Sequence, residues 1–182
     1  MPPKTPRIFK RLFVGIPVSA EIREKTTLLL KELQHTGAEL KLASPENLHI
    51  TLHFLGKMEK GKISLVEQFL SSVTLKSFSA KIRGIDAFPN VANMKVIWAG
   101  LESKELQTLT SMVRRLFSAE EIETPHLTLA RIKSANTTVE QYIKKHQDFF
   151  FGEMLVDKFI LYESELTAAG AIYTPLKVFP LL

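Results

Sequence analysis

Two tetrapeptides in this chain nearly repeat one another: His49-Ile50-Thr51-Leu52 and His126-Leu127-Thr128-Leu129. In extended chain, side chains alternate between faces, so His and Thr of each copy share a face, with Cα atoms about 6.5 to 7 Å apart. Imidazole titrates near pH ~6.5, so of two imidazoles one can carry a proton while the other stays neutral. In-line displacement at phosphorus asks for that combination, a base on the attacking oxygen and an acid on the departing one, on opposite sides. Thr51 and Thr128 can donate to non-bridging oxygens, and Arg131 can neutralise the charge that builds on them. Such chemistry needs no metal.

The elements that must hold these residues are legible from periodicity. Leu48, Ile50, Leu52 and Phe54 alternate with His49, Thr51 and His53, predicting a strand over 48–55 with an apolar and a polar face. A second strand is predicted over 125–133, where strict alternation from His126 turns Arg131 to the wrong face unless a bulge or a strand end follows Leu129. Upstream, a strand over 11–16 leads to Ser19, an N-cap for a helix carrying Ile22, Thr26, Leu29, Leu30 and Leu33 and stopped by Gly37. Further helices are expected over 61–72, from Ser103 to Phe117, and from Thr137 or Thr138 to Lys145. Strands are expected over 78–88 and 95–101, joined as a hairpin through Pro89, Asn90 and Asn93, and then over 149–162 and 171–179. Residues 1–6, with three prolines, read as a loose tail. Each motif follows a helix and a Pro-containing approach, so an internal duplication into two facing lobes explains the repeat economically.

Composition narrows the remaining choices. With 182 residues, 45% hydrophobic, the chain suits one compact domain over 1–182 of class α+β. Cysteine is absent, which removes disulfides, thiolate nucleophiles and sulfur-bound zinc. A net charge of +5 favours an anionic partner. No apolar run approaches the roughly 20 residues of a membrane helix, and the basic stretch from Lys4 to Arg11 lacks the rest of a signal peptide, so a cytoplasmic location is expected.

The stretches HITLHFLG with its leading Leu48 and HLTLAR (126–131) resemble the paired signatures of the bacterial and archaeal RNA 2′,3′-cyclic phosphodiesterases, also called 2′-5′ RNA ligases, of the two-histidine phosphoesterase superfamily. The resemblance continues through RLFVGIPV (11–18), PENLHITL (45–52), FPN and WAGLE (within 88–102), and LYES with GAIYTPL (within 161–176). It implies a bilobal fold of two antiparallel sheets backed by helices and related by a pseudo-two-fold axis around a cleft. It further implies that His49 protonates the leaving 3′ oxygen while His126 activates water, leaving a 2′-phosphomonoester, and that Thr51, Thr128 and Arg131 bind the substrate. The partner would be an RNA end or oligonucleotide carrying a 2′,3′-cyclic phosphate. No cofactor, metal or membrane would be involved, the chain would act as a monomer, and reversible 2′-5′ ligation could be a side activity. Leu42 stands where relatives often carry Trp, and Lys57 where they carry an acid. Two rival readings use the same residues: an RNA-end binding module without turnover, and a metal hydrolase with the histidines as ligands. The second lacks a nearby Asp or Glu at ligand spacing in either strand.

Overall fold

The computed structural model describes residues 8–118, 124–168 and 170–182; the expected N-terminal tail lies outside the described residues. Nine strands and four helices follow in the order β1 (Phe9–Pro17), α1 (Ala20–Gln34), β2 (Glu39–Leu42), β3 (His49–Glu59), α2 (Ile63–Ser71), β4 (Phe78–Phe88), β5 (Val96–Glu102), α3 (Lys104–Arg115), β6 (Leu127–Ser134), α4 (Thr137–Lys145), β7 (Phe150–Val156), β8 (Lys158–Thr167) and β9 (Gly170–Pro180). The fold is α+β. Ser19 caps α1 by accepting from the Ile22 amide at 3.3 Å, and Ser103 caps α3 through Leu106 at 3.2 Å. Gly37, at φ +73°, lies just past the end of α1 in the left-handed region where a side chain is costly.

Two elements depart from the sequence reading. The four-residue strand β2 was not foreseen; it exists by pairing with β6, Leu40 opposite Ile132, a long-range contact that local pattern cannot announce. The apolar run 149–162, read as one strand, is two, parted at Asp157.

All pairings are antiparallel, and the sheet runs β7-β4-β5-β6-β3-β1-β8-β9, with β2 added against β6. Where two separate sheets were expected, one hydrogen-bonded path is continuous, and its link between β3 and β6 is the single register pair Ile50 and Leu127. Asp157 alone connects β7, at one end of that path, to β8, near the other. A one-residue link spans only two Cα steps of about 3.8 Å each, so the sheet must curl until its ends approach. The Ser77 amide accordingly donates to the Leu182 carbonyl at 2.7 Å, tying the C-terminus to the entrance of β4. Helices α1 and α4 pack on β7 and β4, while α3 and α2 pack on β3 and β9.

Ile50, Leu52, Leu127 and Leu129 are all fully buried. Each such side chain contributes about 1.5 to 3 kcal/mol when removed from water. A one-residue slip of either strand would expose its pair, so the hydrophobic core enforces the register that turns His49, Thr51, His126 and Thr128 outward.

Candidate active site

The pairing of Ile50 with Leu127 decides the local geometry. Both side chains enter the core, so the residues flanking them share the opposite face: His49 falls beside Thr128, and Thr51 beside His126. The two histidines are then diagonal neighbours, about 7 to 8 Å apart at Cα in a regular ladder, and divergence of the strands beyond this one pair widens the gap.

Each imidazole is oriented by its own backbone two residues upstream. His49 Nδ1 lies 2.6 Å from the Asn47 carbonyl and His126 Nδ1 lies 2.9 Å from that of Thr124. A carbonyl only accepts, so Nδ1 carries the proton in both rings and Nε2 is the working nitrogen. Thr51 Oγ1 sits 3.1 Å from His49 Nε2. Asn47, in a single 3-10 turn opened by Pro45, is itself anchored by its side-chain amide, which donates to the Ala171 carbonyl of β9 at 2.7 Å.

Aromatic rings wall both histidines. Phe13 and Tyr173 stand 4.8 and 5.1 Å from the His49 ring, and Phe88 and Trp98 stand 5.1 and 6.1 Å from that of His126. The His49 imidazole is pressed against β1, where a Cβ on Gly15 would come within 3.3 Å of Cδ2 and 3.1 Å of the Ile50 carbonyl. A side chain at that position would make the ring or the Ile50 carbonyl give way slightly. Burial is the main force on His49, holding its pKa below the ordinary imidazole value against the opposing effect of the Asn47 carbonyl. Burial likewise raises the pKa of Tyr173, while the Arg131 charge pulls it down, which brings Arg131 within electrostatic reach of the ring beside His49.

Arg131 reaches this face through a bulge, one of the two alternatives that alternation left open. On β6, Trp98 pairs with Thr128 and Ile97 with Ala130, leaving Leu129 unpaired; Ala130 drops into the core and Arg131 returns to the face of Thr128. The same event follows the first motif: Gly15 pairs with Thr51 and Val14 with His53, leaving Leu52 unpaired. Both bulges are held by a donor from elsewhere, Leu52 by Arg114 Nε at 3.1 Å and Leu129 by the Ala43 amide at 2.8 Å. Arg114, buried at the end of α3, carried no sequence signal beyond an ordinary helix-end cation. The first bulge also corrects two expectations. His53 leaves the face of His49 and stacks on Phe117, 5.7 Å between centroids, behind the sheet. Phe54, expected in the core, is 59% exposed on the side of Phe13.

Phe13, Gly15, Phe88, Trp98 and Asn47, which surround the two histidines, were missed from the sequence. Gly15 and Trp98 could have been found once strand pairing was known, since they lie across from Thr51 and Thr128. Among the described residues, no three His, Cys, Asp or Glu cluster as metal ligands would. No helix among them is long and apolar enough to cross a membrane.

The family model described as LigT like phosphoesterase matches the chain over residues 16–98 and 101–173, one motif in each stretch. The chain belongs to the LigT-like phosphoesterase family. Within that LigT-like group, a protein of Archaeoglobus fulgidus named RNA 2′,3′-cyclic phosphodiesterase is 41% identical over 93% of this chain and 99% of its own. One of the same name from Methanothermobacter thermautotrophicus is 34% identical, over 94% and 98%. Among solved LigT-like structures, Escherichia coli LigT complexed with 3′-AMP superposes with a TM-score of 0.79 at 25% identity, covering 95% of this chain and 98% of that one.

Proposed function

We propose that this LigT-like chain hydrolyses the 2′,3′-cyclic phosphate at an RNA end to a 2′-phosphomonoester, using His49 as acid and His126 as base without a metal. The observation that carries the reading is the convergence of two His-x-Thr motifs on adjacent strands, each imidazole fixed through Nδ1 so that Nε2 is left to react. Relatives named for this activity align over nearly the whole chain, which supports the substrate class. The sheet order supports two pseudo-symmetric lobes, since β3 and β6 meet at its centre, each with its motif and bulge.

In the proposed reaction, His126 Nε2 takes a proton from water as the water oxygen attacks phosphorus. The bond from phosphorus to the 3′ oxygen breaks, and His49 Nε2 gives that oxygen a proton. Thr51, Thr128 and Arg131 meet the charge on the non-bridging oxygens. The histidines exchange protonation states in one turnover and reset through solvent. His49 must enter as the acid although burial favours its neutral form. An anionic phosphate against Nε2 opposes that bias, so substrate and proton bind together. The chain would act as a cytoplasmic monomer, and a ribose 5′ hydroxyl attacking phosphorus in place of water, with the same break of the bond to the 3′ oxygen, would give reversible 2′-5′ ligation.

The product decides the matter. With EDTA present, ³¹P NMR of an oligonucleotide ending in 2′,3′-cyclic phosphate should show conversion to the 2′-phosphate alone. A 3′-phosphate, or activity abolished by the chelator and restored by a divalent ion, would refute the proposed mechanism.

A further inference from the structure

The cleft face carries a second cation beside Arg131. Lys41 on β2 lies directly opposite Arg131 in the β2–β6 register. Its neighbours Leu40 and Leu42 pack on the core, as do Ala130 and Ile132 on either side of Arg131, so both cationic side chains take the other face. Both residues are exposed, and neither is paired with an acidic side chain among the described residues. Like charges directly opposite on adjacent strands repel, and an anion between or along them removes the penalty. Arg131 acts electrostatically on Tyr173, whose ring touches that of His49, whereas Lys41 lies one strand further out. The row therefore runs from the candidate reaction centre outward along the face that an RNA chain would follow.

Resting on the reading above, we propose that Lys41 binds the phosphodiester flanking the cyclic end, making this protein selective for RNA chains over nucleoside cyclic phosphates. In the first half of the molecule the position matching Arg131 after its bulge is Phe54 instead.

The test compares two dinucleotides that end in 2′,3′-cyclic phosphate, one with a natural phosphodiester and one with an uncharged methylphosphonate link. Loss of one charge-assisted contact should raise KM about tenfold for the uncharged link. In Lys41→Met that ratio should fall to about one, and Lys41→Arg should restore it. The dependence of binding on salt for the charged dinucleotide should weaken by about 0.7 in log–log slope in Lys41→Met, the share of one contact to single-stranded nucleic acid. A ratio near one in the unmodified protein, or one that survives Lys41→Met, overturns the proposal. The same ratio is read in binding with both dinucleotides ending in 2′-phosphate. A failure of either cyclic substrate to turn over would then count against the proposed reaction, while the binding ratio still decides the subsite.

Discussion

Replacing either His49 or His126 with alanine is expected to lower kcat for a 2′,3′-cyclic phosphate by about 10³-fold, within the span of general acid–base catalysis. The double variant should be little worse than either single one, because acid and base serve one displacement and the loss of one idles the other. Folding should survive both changes, since neither ring fills the core: the burial that fixes the strands comes from Ile50, Leu52, Leu127 and Leu129. His49→Ala has the wider structural effect, removing a ring packed against Phe13 and Tyr173. Single-turnover rates beside thermal melts separate the two consequences. Either single variant retaining a tenth of the rate would remove that histidine from the proposed pair.

Arg131→Met should lower kcat/KM by about 10²-fold, the scale for removing one preorganised donor from a charged transition state. In the proposed reaction the guanidinium would meet phosphate charge from a position the bulge at Leu129 creates, and the other half of the site holds Phe54 in the matching place. Arg131→Lys should recover part of the loss, keeping the charge and losing the fork. Steady-state kinetics on one oligonucleotide read both variants. An effect confined within threefold would assign Arg131 to the surface instead.

How much of this was legible beforehand follows from where the signal resides. Strand β4 runs from Phe78 to Phe88, as predicted, because alternate residues are buried on either side of a shift at Gly84. The caps at Ser19 and Ser103 are local chemistry and were read correctly. Strand β2 was invisible because four residues carry too little pattern, and its stability comes from β6. The run 149–162 was misread because only Asp157 and Lys158 interrupt its apolar content at the change of direction. At the candidate site, the repeat named His49, Thr51, His126 and Thr128, Arg131 was added as a nearby cation, and alternation alone called for a bulge or a strand end after Leu129. The bulge after Leu52 was not, although the same tetrapeptide precedes it, and so His53 and Phe54 were sent to the wrong faces. Bulges depend on what a partner strand offers, and Arg114 and the Ala43 amide come from distant chain.

The central claim is that both imidazoles address one phosphate. Titrating ¹⁵N-histidine-labelled protein with a nucleoside 2′-phosphate, below the ordinary imidazole range and near neutrality, tests it directly. The account predicts that the Nε2 resonances of His49 and His126 move together along one binding curve, and that the His49 pKa, depressed by burial in the free protein, rises on binding. Movement of one ring alone, separate curves for the two, or a His49 titration indifferent to the ligand would contradict it.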